Sequence, residues 1–124
     1  GASLAVFNLS RDPYERYVLS GASVGFSEKI SKNVWLYDVY KKTKNDRIRI
    51  VGYDWELAPI TGAGSTIDEA VNDLYGNVEG FSAGSIYYRP KSDYLSTDYE
   101  SSILNRLRYC VQKKLFDIPF RGVY

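Results

Sequence analysis

Three small constellations in this 124-residue chain carry residue types that could do chemistry, and each has a plainer competitor. Gly62-Ala63-Gly64 stands between an apolar run and a helix-start pattern. That place suits an anion, because the first N–H groups of a helix have no partner within it. A dinucleotide fingerprint needs a third glycine and a P-loop ends in Gly-Lys-Ser/Thr, and neither follows here. The expectation is a turn of small residues feeding a capped helix. Asp54 and Glu56 flank Trp55, so two carboxylates share one side of an extended segment. Such a pair can serve acid–base work or a divalent ion. No third ligand stands near it, and solvated edge residues are expected instead. Cys110, the only cysteine, lies beside an apolar helix stripe and reads as a small core residue rather than a nucleophile. The chain has no histidine, which excludes histidine zinc sites, histidine bases and Ser-His-Asp triads. Residue chemistry alone gives no enzyme.

The charge balance narrows the partners. Sixteen basic residues against fifteen acidic ones leave +1, too little for a broad field that would draw nucleic acid or an anionic membrane. Arg106, Arg108, Lys113 and Lys114 form a basic helix face, which reads first as a solvated face and second as a partner surface. It has no interleaved aromatics of the kind that RNA-binding motifs use. Twelve tyrosines could stack bases or sugars, but half-buried strands and sheet edges use tyrosine too, and packing is the expectation. No apolar run approaches a membrane span and no signal-peptide pattern is visible. With a single cysteine this suggests a cytoplasmic protein, in which Asn8-Leu9-Ser10 is an accidental glycosylation match. Hydrophobic residues at 44% and charged residues at 25% are ordinary globular usage. The length fits one domain, and the absence of methionine suggests a domain of a longer protein.

The elements that must position these residues follow from periodicity. Ser3–Leu9 is a short apolar strand stopped by Pro13, and residues 14–32 read as a loop with a short strand. Val34–Lys42 is rich in β-branched and aromatic residues. It is expected to put Val34, Leu36, Asp38 and Tyr40 on one face and Trp35, Tyr37 and Val39 on the other. Arg47–Tyr53 alternates arginine with isoleucine, which marks a half-buried strand rather than a nucleic-acid stripe, and the two segments read as a hairpin. Glu56–Thr61 is a strand that Pro59 demotes to an edge or bulge. A helix is predicted over 66–78, with a Thr66–Glu69 capping box, an apolar face of Ile67, Ala70, Val71, Leu74 and Val78, and Gly80 at its end. Ser85–Arg89 is a further strand closed by Pro90. A last helix is expected from Thr97, with Ile103, Leu104, Leu107, Val111 and Leu115 as its stripe. That stripe must be covered, either by folding back on the sheet with Phe116, Ile118 and Phe120, which is the favoured arrangement, or by a second copy in a homodimer or a neighbouring domain. The fold class is α+β: a compact antiparallel, sandwich-like β domain with one packed helix over residues 1–92, and a helical extension packed on it over 93–124.

Residues 56–89 also resemble a known family. Ile60-Thr61-Gly62-Ala63-Gly64, then Ser65-Thr66-Ile67-Asp68-Glu69-Ala70, then Gly84-Ser85-Ile86-Tyr87-Tyr88-Arg89 are similar in order and spacing to the C-terminal domain of phosphoribosylamine–glycine ligase, the ATP-grasp enzyme of purine synthesis. Ala5-Val6-Phe7 stands where that family has its opening strand, and the hairpin stands where the family has its own, so the likeness covers roughly residues 3–90. Two places depart from the family pattern. Tyr37-Asp38-Val39-Tyr40 replaces a His-Ala-Gly-Thr run, and Asp54-Trp55-Glu56 replaces Gly-Gly-Arg with a reversal of charge. No family functional residue carries over at either place, and the stretch from Asp93 to Tyr124 has no counterpart. The resemblance implies a non-catalytic domain that packs against the rest of a longer ligase chain. ATP and magnesium would be bound by that missing ATP-grasp core, and this chain would hold no cofactor, metal or catalytic residue. Asp54, Trp55, Glu56, Tyr88 and Arg89 are the candidate wall of a cleft or interface. The competing expectation is a free-standing binding module that kept the fold without the ligase.

Overall fold

A computed structural model describes residues 1–8, 21–51, 56–84, 86–96 and 102–115. The fold is α+β, with two antiparallel sheets and a long helix packed on the first of them. In that sheet β1 (Ala2–Asn8) pairs with β5 (Glu56–Gly62) from Ala2 opposite Gly62 to Phe7 opposite Glu56, with a bulge between Val6 and Phe7. The third strand, β7 (Ile86–Tyr87), meets β1 only at Phe7 and Asn8. Strand alternation sorts the side chains: Leu4 and Val6 are buried while Ser3 is exposed, and Ala58 and Ile60 are buried while Pro59 and Thr61 are half-buried. As expected, the proline lies on an edge strand. Its carbonyl accepts the Trp35 N–H at 3.0 Å on the side away from β1, so its missing donor falls on that outer side and costs the β1 ladder nothing.

The second sheet runs in the order β3 (Val39–Tyr40), β4 (Ile48–Ile50), β2 (Ser23–Phe26), β6 (Phe81–Ser82). The expected hairpin is present, with Val39 opposite Ile50 and Tyr40 opposite Arg49. The single strand expected over Val34–Lys42 is not. Asp38 takes φ 44° in the left-handed region, which breaks the strand. Before it, Val34 bridges Ile60 and the Tyr37 N–H donates to the Leu57 carbonyl at 2.9 Å, so residues 34–37 follow the outer edge of β5. After it the chain joins β4. The turn at Asp38 also shifts the alternation by one residue. Val34, Leu36 and Val39 pack against the core, while Trp35, Tyr37 and Tyr40 face solvent. Three side chains therefore depart from the face expected for them, Val39 inward and Asp38 and Tyr40 outward.

Helix α1 (Ile67–Glu79) forms where predicted. The Thr66 hydroxyl accepts the Glu69 N–H at 3.2 Å, and the Glu69 carboxylate accepts the Thr66 N–H in return, which completes the capping box. Its face of Ala70, Val71, Leu74 and Val78 is buried, with Ile67 half-buried at its start. The C-terminal stretch departs further from expectation. Of the described residues 86–89 only Ile86–Tyr87 are strand, and a short helix α2 (Ser92–Leu95) follows Pro90. Tyr94 of α2 belongs to the main core cluster, so the boundary expected at 92/93 falls inside an element that packs with the sheet. Helix α3 (Ile103–Gln112) starts six residues later than the expected Thr97. Ser102 caps it by accepting the Asn105 N–H at 3.2 Å, because a serine directly before the apolar run satisfies a free donor. The box at Thr97–Glu100 and the track of Phe116, Ile118 and Phe120 lie outside the described residues. Of the stripe, Leu104 is buried, Ile103 packs on the core, and Leu115 is 63% exposed.

Candidate functional site

Because β7 is two residues long, most of β1 has no strand on the side away from β5 among the described residues. Ser3, Ala5 and Phe7 aim their backbone groups to that side, by the alternation of an antiparallel ladder. The Tyr94 hydroxyl donates to the Ser3 carbonyl at 2.7 Å and so replaces one missing ladder bond. Beside it lies a cleft of about 390 Å³ with Ser3, Ala5 and Phe7 on its floor and Tyr87, Arg89 and Asp93 along its wall.

A cluster of tyrosines braces that wall. Tyr75, on α1, donates its hydroxyl to the Arg89 carbonyl and meets the Tyr94 ring edge-on at 5.9 Å. Tyr88 tilts against Tyr75 at 6.2 Å, which ties the segment after β7 to α1 and α2. The Arg89 guanidinium pairs with Asp93 at 3.6 Å, with both side chains well exposed, so the pair orients the wall more than it stabilises the fold. Burial pushes the Tyr75 and Tyr94 hydroxyls above the ordinary tyrosine range. In the unfolded chain both ionise near pH 10, so the folded state holds their protons more tightly. The stability this provides is whole below about pH 10 and is lost as the pH rises beyond it, because the unfolded state releases its protons first. Urea melts should keep one midpoint from about pH 8 to 9 and fall above pH 10, less steeply in Tyr75→Phe. Equal slopes in the two proteins would contradict the assignment.

The expected wall residues separate. Arg89 lines the cleft. Tyr88 turns the other way, onto Tyr75 and the core. Glu56 is half-buried opposite Phe7, one strand further from the cleft. Asp54 and Trp55 lie outside the described residues. Tyr87, Asp93 and Tyr94 were not anticipated in the cleft. The four-residue spacing of Arg89 and Asp93 is their one sequence signal, and the boundary expected at 92/93 divides the pair.

The turn after β5 serves packing. A Cβ on Gly62 would lie 2.5 Å from the Ala70 carbonyl oxygen and 2.6 Å from the Leu74 Cα, and one on Gly64 would lie 2.5 Å from the Ala70 nitrogen. The glycines let the strand end run against α1. Two of the turn's donors are already used. The Ala63 N–H donates to the Asp73 carboxylate at 2.9 Å and the Ser65 N–H to Glu69 at 2.7 Å. Two carboxylates thus occupy the place a phosphate would take and repel one.

Compared with protein-family models, curated proteins and solved structures, the chain matches none. Among the described residues no helix is long and apolar enough to cross a membrane. Cys110, expected in the core, is half-buried on α3. On the basic face of that helix Arg106 is exposed, and the Lys113 ammonium stands 5.8 Å from the centre of the Tyr109 ring.

Proposed function

We propose that this chain is the C-terminal accessory domain of a cytoplasmic ATP-grasp ligase resembling phosphoribosylamine–glycine ligase, and that it does no chemistry by itself. One observation carries the reading. The run on which the resemblance rests folds as strand β5, a small-residue turn, the capped helix α1 and then strand β7, with the two-residue β6 between the last two, which keeps the sequence of elements the resemblance implies with one short strand added. The whole enzyme would join glycine to an amino sugar phosphate through an acyl phosphate made from ATP. The Ala63 and Ser65 donors of the turn are held by Asp73 and Glu69, which supports assigning ATP and magnesium to a core outside this chain. This domain would then contribute packing surface and the Arg89 wall of a cleft. A second reading, a free-standing binding module, draws support from Trp35, which is 60% exposed.

The test starts at the gene. The reading frame upstream of Gly1 should encode several hundred residues with a nucleotide-binding pattern. The joined protein should form ADP only when glycine and phosphoribosylamine are both supplied. A frame with no such region, or a joined protein without that dependence, would overturn the ligase reading and leave the binding module.

A further inference from the structure

Residues 34–40 carry three aromatic side chains away from the core. Trp35, Tyr37 and Tyr40 keep 60%, 47% and 37% of their surface exposed. Their outward direction is built in. The Trp35 and Tyr37 N–H groups are bonded to β5, Val34, Leu36 and Val39 pack inward, and Tyr40 pairs with Arg49 in the second sheet. Turning the rings inward would break that register. Along extended backbone Trp35 and Tyr37 stand about 6.5–7 Å apart on one side. Three exposed rings within six residues of one ribbon, each held outward by its backbone, offer stacking faces to a ligand that runs along it.

The turn that follows supplies charge. Lys41, Lys42, Lys44 and Arg47 are all exposed. Residues 28–49 hold seven of the chain's sixteen basic residues and only three of its fifteen acidic ones. One of the three, Asp46, is engaged, since it accepts the Arg47 N–H at 2.8 Å and pairs with Arg49 at 3.7 Å. The near-neutral total therefore hides a local cationic excess, because a ligand meets one face and not the average. Its composition chooses between partners. Protein interfaces are depleted of lysine, whereas lysines beside exposed aromatic faces suit phosphates and stacked bases.

We propose that this ribbon binds single-stranded nucleic acid, with bases on Trp35, Tyr37 and Tyr40 and phosphates on Lys41, Lys42, Lys44 and Arg47. The site stands on the ribbon alone and is independent of the ligase reading. It revises the expectation drawn from net charge.

Fluorescence anisotropy of a labelled oligothymidylate of about a dozen nucleotides, titrated with the 124-residue chain, tests it. Four phosphate contacts on a single strand predict a log–log salt slope of about −2.8, a loss of roughly 50-fold between about 50 and 200 mM salt. Trp35→Ala should weaken binding about 5- to 150-fold, the effect of losing one stacked base. Lys44→Ala with Arg47→Ala should bring the slope to about −1.4. Far-UV circular dichroism checks each variant's fold, and Tyr37→Ala stands in if Trp35→Ala does not fold. An oligouridylate arm shows whether RNA or DNA is preferred, and saturable binding of either supports the site. No saturable binding, a slope near zero, or unchanged affinity in a folded aromatic variant would overturn the proposal. So would equally tight binding of polyglutamate, which would assign the ribbon to an acidic protein partner.

Discussion

Leu74→Ala is expected to lower the unfolding free energy by about 2–5 kcal/mol. Leu74 is fully buried on the face of α1 that packs on β5 and β1, in one cluster with Leu4, Val6 and Ile60. Removing its branched end takes apolar area out of the core and leaves a cavity, since the strands on the other side are fixed by their own ladder. Urea denaturation followed by circular dichroism should show a lower midpoint with an unchanged slope. A loss below about 1 kcal/mol would mean that α1 does not seal the core as described, because full burial of leucine does not come that cheaply.

Gly62→Ala is expected to cost about 1–3 kcal/mol or more, although it adds a single methyl group. The atoms in its way are backbone, the Ala70 carbonyl oxygen and Leu74 Cα, and they cannot swing aside as a flexible side chain would. The helix must move off β5, which loosens the same contact that Leu74 seals. The substitution also separates two accounts of the glycine turn. If Gly62 serves close approach, stability falls and the Ala63-to-Asp73 bond is disturbed with it. A variant as stable as the parent would show that the strand and helix do not meet at this distance.

Much of this packing was legible in the sequence. Thr66 and Glu69 stand three apart before an apolar repeat of 3.6, so local rules alone mark the start and the buried face of α1. Pro59 marks an edge because a residue without an N–H is tolerated only where no ladder bond is lost. The hairpin of β3 and β4 was visible from alternation. Its face assignment was not, since one left-handed residue, Asp38, shifts the phase and aspartate adopts that conformation without a sequence signature. The strand β6 and the helix α2 are too short for any period to show. The cleft was hidden for another reason. It exists because β7 stops after two residues and Tyr94 reaches Ser3 from 91 positions away, and such a pairing leaves no local pattern. Only Arg89 was anticipated there, from the family resemblance.

The central claim is that the ATP and magnesium of the ligation are held outside this chain, and calorimetry of the 124-residue protein with magnesium and millimolar ATP tests it most directly. The Ala63 and Ser65 donors are held by Asp73 and Glu69, so ATP would have to displace two carboxylates of the chain itself. The account predicts no binding of ATP tighter than about 100 μM, since one mononucleotide can stack on only one ring of the 34–47 ribbon. A dissociation constant tighter than about 100 μM, equivalent to more than roughly 5 kcal/mol of specific contact, would contradict it.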